Sequence, residues 1–147
     1  MKPHNLILTV GIPGAGKTTW AREYQRRCPN TAIVSSDDMR FMLTGTTQCD
    51  PEQSSYIHQK TREKVAELLD KQDVIVDSTN TSVDEWIAYK RLYPYLFIAK
   101  VFDTPPEKAY IQQQHRERQV PYDVLEMKWN EFQKSKEMLD KVFNFIL

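Results

Sequence analysis

Only four glycines occur in these 147 residues, and three of them, Gly11, Gly14 and Gly16, stand together in one short segment. The segment Gly11-Ile12-Pro13-Gly14-Ala15-Gly16-Lys17-Thr18 fits the pattern G-x-x-x-x-G-K-[ST]. It follows the apolar run Leu6 to Val10, which reads as a buried strand, and precedes Thr19 to Arg27, which reads as a helix. Strand, glycine loop and helix form the context in which bare backbone N–H groups cradle phosphate. By chance the fixed positions match in roughly one chain of this length in 200. Gly11, Pro13, Gly14, Ala15, Gly16, Lys17, Thr18 and Thr19 are therefore the expected nucleotide contacts. Lys17 is placed to reach the β- and γ-phosphates, and the Thr18 hydroxyl to bind Mg²⁺.

Beyond the loop the chain alternates. Strand patterns fall at Thr31 to Ser36, Val74 to Asp77 and Tyr95 to Phe102. Helical patterns fall at Met39 to Leu43, Glu52 to Lys71, Val83 to Leu92, Pro106 to Arg118 and Tyr122 to about Phe143. Repeats, linkers and low-complexity tracts are lacking, so residues 1–147 read as one α/β domain. The expectation is a parallel sheet of about four to five strands, flanked by helices on both faces, with a helical lid near 105–121. The apolar end, Val142 to Leu147, is left open as packing on its own sheet or on a neighbouring molecule, and with it the oligomeric state.

Right-handed crossovers bring the C-terminal end of every strand to one edge, where open α/β sheets bind ligands. The polar clusters fall at that edge. Asp77 closes an apolar strand and suits a metal-holding acid, or else caps the turn that follows. Asp37, after the second strand, suits a general base for an incoming hydroxyl, while Asp37 and Asp38 also suit helix capping beside Met39. Arg40 lies one helical turn from Asp37 and suits an acceptor phosphate, or else a solvated surface. Arg116 or Arg118, in the polar run Gln112 to Arg118, suits a lid arginine that neutralises a transferring phosphoryl group, or else an exposed charged helix. Trp86, Trp129, Phe132, Phe143 and Phe145 read as core, and Phe41 and Tyr56 as candidates for base stacking.

Together with the loop, the blocks Thr18-Thr19-Trp20-Ala21, Ser36-Asp37-Asp38-Met39-Arg40, Ser78-Thr79-Asn80, Val101-Phe102-Asp103 and Val120-Pro121-Tyr122-Asp123-Val124-Leu125 resemble the kinase domain of phage-type polynucleotide 5′-kinases, almost from end to end. The resemblance implies a P-loop kinase fold and transfer of the γ-phosphate of ATP, with Mg²⁺, to a 5′-hydroxyl end of RNA or DNA. It implies that Asp37 is the general base and that Arg40 contacts the acceptor nucleotide. Thr79 and Asn80 are placed near that nucleotide, and Arg116, with Arg118 as alternative, takes the lid position. The phage enzyme's 3′-phosphatase domain has no counterpart, so a kinase alone is expected.

Twenty basic residues balance twenty acidic ones. That argues against a broad cationic face for long nucleic acid, and any such contact is expected to be local. Cys28 and Cys49 lack metal-ligand spacing, and no apolar run approaches membrane-spanning length. A reduced, cytoplasmic protein without a membrane partner is expected. Two rival readings share the loop: a small-molecule P-loop kinase, and an NTP-binding switch.

Overall fold

The computed structural model describes residues 4–48, 50–92, 96–117 and 119–147. Five parallel strands form one sheet in the order β2-β3-β1-β4-β5, with β1 Leu6–Val10, β2 Thr31–Ser35, β3 Asp73–Asp77, β4 Phe97–Val101 and β5 Phe145–Ile146. Every residue of the central strand β1 is buried, as a strand covered on both faces requires. Alternation along the strands divides the core. Leu6, Leu8, Val10, Val74 and Val76 face one side, where Trp86, Phe97, Phe132 and Phe143 fill the layer. Ile7 and Ile75 face the other side and pack under Ala21, Trp20 and Tyr24 of the first helix.

The helices are α1 Lys17–Arg27, α2 Ser36–Thr44, α3 Pro51–Leu69, α4 Val83–Leu92, α5 Pro106–Gln112, α6 Tyr122–Ser135 and α7 Leu139–Val142, with a 3₁₀ turn at Lys136–Met138 before α7. Local chemistry sets several starts. The Asp50 side chain accepts from the Glu52 amide at 3.0 Å and Pro51 takes the first helical position of α3. The start of α2 corrects the sequence expectation: Ser35, not Asp37 or Asp38, is the cap, its hydroxyl accepting from the Asp38 amide at 3.3 Å. The helix thus begins at Ser36, and both aspartates lie in its first turn.

Three further differences concern ends. The helix expected to reach Arg118 stops at Gln112, because Gln113 is drawn into the interior. The final helical stretch, expected from Tyr122 to about Phe143, is interrupted by the 3₁₀ turn at Lys136–Met138 and resumes as α7 to Val142, after which the chain adds β5 beside β4. The apolar terminus therefore packs on its own sheet. Phe145, read as core, is 57% exposed on that edge strand. Tyr95, where the fourth strand was expected to begin, lies outside the described residues.

Candidate active site

The chain leaves β1 toward β2 on one side of the sheet, and after β3 it crosses to β4 on the other. A crevice opens where those directions diverge, at the C-terminal end of β1. The phosphate loop sits there. Gly14 and Gly16 have φ of 85° and 94°, a region that side chains disfavour. At Gly14 a Cβ would also stand 2.6 Å from the Ala109 carbonyl oxygen of α5, so the loop is built against the base of the lid. At Gly11 a Cβ would meet the Phe102 Cβ at 2.9 Å. The Gly11 amide donates to the Thr79 carbonyl at 2.9 Å, which ties the loop to the segment after β3.

The loop fits a nucleotide's phosphates. Gly16 caps α1 with no side-chain acceptor on the first amides, and a Cβ there would project into open space. That leaves the first amides of the helix facing the cradle of the loop, the arrangement that takes anionic oxygens. Lys17 is buried, and its ammonium donates to the Ile12 carbonyl at 2.7 Å. Burial pushes this ammonium down to about 8; Asp77 opposes the fall, Arg116 adds to it, and Asp37 opposes it. Charges from three other segments therefore converge on one nitrogen. Pro13 is half-buried, Ala15 buried and Thr19 exposed.

Thr18 and Asp77 meet directly: the hydroxyl donates to Asp77 Oδ2 at 2.7 Å. Asp77 is buried at the end of β3, so its partner is the first turn of α1 and not the turn that follows the strand. Among the described residues no three His, Cys, Asp or Glu side chains gather as a metal cluster. Mg²⁺ held by one hydroxyl, one carboxylate, waters and substrate phosphates needs none, so this pair fits it.

On the far side of the crevice Arg40 Nη1 lies 3.3 Å from Asp37 Oδ1. The arginine is not a solvated surface residue. Its side chain is 10% exposed, whereas that of Asp37 is 55% exposed. Phe41 follows one turn after Asp37, and Phe41, Met42 and Tyr56 are all exposed.

Thr79 and Asn80 divide. The Thr79 carbonyl supports the loop, as described. Asn80 is buried with φ of 46°, and its side-chain nitrogen donates to the Thr9 carbonyl at 2.8 Å. That nitrogen is committed to the fold and is not offered to a ligand. Arg116 is exposed in the turn after α5, its amide donating to the Gln113 carbonyl at 2.9 Å. Arg118 lies outside the described residues.

Two supporting residues escaped the sequence. Thr9, buried in β1, donates to the Ser78 carbonyl at 2.9 Å and accepts from the Ser78 amide at 3.2 Å, fixing the segment that carries Asp77. A lone hydroxyl within an apolar strand was the available signal. Gln113 donates to the Val120 carbonyl at 2.7 Å and accepts from the Val120 amide at 3.0 Å. This side chain staples the lid segment shut at its base, but nothing distinguishes it in sequence from Gln112 and Gln114.

Fold, loop and crevice define a kinase-type P-loop enzyme, and such a fold binds ATP for phosphoryl transfer. Residues 6–139 match the AAA domain family AAA_33, and the chain belongs to that family. It is similar to human NEDD4-binding protein 2, with 30% identity over 104 residues, covering 67% of this chain and 6% of that protein. Among solved structures it is similar to a chain of the Pnkp1/Rnl/Hen1 RNA repair complex, at 28% identity and a TM-score of 0.81, covering 93% of this chain and 46% of that one. The chain thus spans less than half the length of either. Shikimate kinase from Acinetobacter baumannii shares the fold, at 14% identity and a TM-score of 0.68, with 98% of this chain and 83% of that chain covered. Among the described residues no helix is long and apolar enough to cross a membrane.

Proposed function

We propose that the chain transfers the γ-phosphate of ATP, with Mg²⁺, to the 5′-hydroxyl end of a polynucleotide, RNA or DNA. The observation that carries this reading is the Asp37–Arg40 pair across the crevice from Lys17, with exposed aromatic side chains beside it. Bound ATP supplies the phosphoryl group, and Mg²⁺ would neutralise its oxygens between Thr18 and Asp77. The loop amides and Lys17 hold the β- and γ-phosphates. Asp37 takes the proton of the incoming hydroxyl at a carboxylate oxygen as the new O–P bond forms and the bond to the departing ADP breaks. Arg40 holds the phosphate 3′ of the acceptor nucleoside, and its contact with Asp37 fixes the distance between the two subsites. Arg116 neutralises charge on the transferring group.

Two further facts support a polynucleotide acceptor over a small metabolite. Phe41, Met42 and Tyr56 of α2 and α3 are 60%, 68% and 51% exposed, apolar side chains open to stacking by bases and of little use to a sugar enclosed in a pocket. The solved chain with the strongest likeness given above belongs to an RNA repair complex.

The deciding experiment measures transfer from γ-labelled ATP to oligonucleotides bearing a 5′-hydroxyl or a 5′-phosphate. Label on the hydroxyl ends alone, lost in Asp37→Asn while ATP still binds, is the expected result. Label only on nucleosides or sugars would make the chain a small-molecule kinase, and slow ATP hydrolysis that no acceptor stimulates would make it a switch.

A further inference from the structure

Behind Asp37 lies a second, smaller recess. Ser36 and Ser78, whose hydroxyls are in contact, form its floor at the ends of β2 and β3. His58 and Arg62 line it from one face of α3, and Glu85 and Tyr89 from one face of α4. Its free volume of about 20 Å³ has room for one water-sized group and none for a phosphate.

The chemistry of the walls is unusual for a packed interior. No described residue forms a hydrogen bond with the side chain of Glu85, Tyr89, His58 or Arg62. Burial pushes the Glu85 carboxyl up to about 6, against Lys128 and with Glu131, so at neutral pH it is still mostly an anion, without a donor. Burial likewise raises the Tyr89 phenol, which keeps its proton and can donate it in a hydrogen bond. Neither oxygen is sealed off, since Thr31 Oγ1 is the one fully buried side-chain polar atom without a partner among the described residues, so both remain open to a single group that donates and accepts at once. Arg62 and Glu85 carry opposite charges, so the recess has no net attraction for an anion. A hydroxyl meets the demands of both size and charge.

Position narrows which hydroxyl. Ser36 directly precedes Asp37, and after burial itself the Arg40 guanidinium is the largest of the charges that make His58 less basic. The recess therefore lies on the side of the crevice where the acceptor's 3′-phosphate is placed. In a nucleotide, the carbon next to the one bearing that phosphate carries the 2′-hydroxyl in RNA and only hydrogen in DNA. We propose that this recess receives the ribose 2′-hydroxyl of the acceptor's first nucleotide, with Glu85 accepting its proton in a hydrogen bond and Tyr89 donating to its oxygen, so that the chain selects RNA ends. This inference rests on the polynucleotide kinase reading.

The test compares kcat/KM of the wild-type protein on four 5′-hydroxyl oligonucleotides of one sequence: RNA, RNA with a single 2′-deoxy first nucleotide, RNA with a 2′-O-methyl first nucleotide, and DNA. The single deoxy substitution is expected to cost about tenfold or more, as a site built to bond a hydroxyl rejects its absence. The methyl ether should be poorer still, for want of room, and DNA should behave like the single deoxy end. Tyr89→Phe and Glu85→Gln should each bring the ribo-to-deoxy ratio toward 1. Circular dichroism checks that the variants fold; if Glu85→Gln does not, Tyr89→Phe and the wild-type comparison decide. Equal kcat/KM on ribo and deoxy first nucleotides, or a preference that survives in folded Tyr89→Phe, would overturn the inference while leaving the kinase reading intact. Transfer to no oligonucleotide at all would overturn the kinase reading, and the inference with it.

Discussion

The Thr18 hydroxyl donates to Asp77 Oδ2 at 2.7 Å, and that single bond joins the first turn of α1 to the last residue of β3. The two residues stand 59 positions apart in the chain, so the site exists only once the parallel pairing of β1 with β3 has formed. Asp77→Asn retains an oxygen for the Thr18 hydroxyl but removes the charge that would hold Mg²⁺. Turnover is expected to fall about 10- to 100-fold, with the Mg²⁺ concentration for half-maximal rate shifted upward and the melting temperature little changed. An Mg²⁺ titration of wild type and variant checks this, and an unchanged titration would remove Asp77 from the metal site.

Lys17 loses its proton near pH 8 in the folded chain, against 10.5 for an ordinary lysine. Phosphates favour the charged form, so nucleotide binding above pH 8 must take up a proton. Affinity for ATP is expected to fall with rising pH from about 8, by up to tenfold per unit, and calorimetry in buffers of different ionisation enthalpy should register the proton. The same shift acts on folding with the opposite sign. Between about 8 and 10.5 the unfolded chain holds more protons than the folded one, so Lys17 adds stability to the nucleotide-free protein as pH rises through that window. Lys17→Met should abolish both dependences.

The loop glycines make separable predictions. Gly14→Ala places a methyl against the Ala109 carbonyl at a strained φ, and is expected to cost about 1–3 kcal/mol in stability. Gly16→Ala has the same kind of φ but open space around the methyl, so its stability cost is smaller. Its methyl instead occupies the phosphate cradle. Thermal melts with and without ATP should show a lower melting temperature for Gly14→Ala, and loss of the ATP-induced rise for Gly16→Ala.

The loop, the strand order of chemistry along the sheet edge and the Asp37–Arg40 spacing were legible because each depends on residues close in sequence. The glycines demand a turn, Lys17 and Thr18 follow at fixed offsets, and Asp37 and Arg40 lie one helical turn apart. What was not legible depends on tertiary partners. Asn80 looks like an exposed turn residue until Thr9 of β1 is seen to take its amide. The helix that stops at Gln112 has no glycine or proline at its end; it stops because Gln113 finds Val120 seven residues on. Asp38 appeared suited to capping because Ser35 reads as the end of a strand, which it also is. Edge strand β5 is two residues long and carries no alternation to detect.

The Gln113 staple has its own consequence. Gln113→Leu keeps the volume but leaves the Val120 N–H and carbonyl without their partner, at a cost of about 1–3 kcal/mol. The Arg116 amide bonds the backbone carbonyl of residue 113, a bond the substitution keeps, but that residue is no longer tied to Val120, so the turn that carries Arg116 is held on one side only. The expected outcome is faster hydrogen exchange at the Val120 amide, together with a lower kcat. Protection equal to wild type would show that the lid is held by α5 and α6 packing alone.

Arg116 is the sharpest test of the lid. It is exposed, yet its charge is among those that lower the Lys17 ammonium, so it lies within electrostatic reach of the phosphate loop. An arginine supplied from the enzyme's own chain to a transferring phosphoryl group is worth about 10³- to 10⁵-fold in kcat. Arg116→Ala is expected to fall in that range with little change in ATP affinity at neutral pH, since the effect belongs to the transition state. It should also move the Lys17 titration upward, because a cation that opposes the ammonium's charge has gone. Rate loss and titration shift together would place Arg116 over the bound phosphates. A titration shift with kcat within about threefold of wild type would leave Arg116 as a neighbour of the loop, and Arg118→Ala, measured alongside, should then carry the loss in rate.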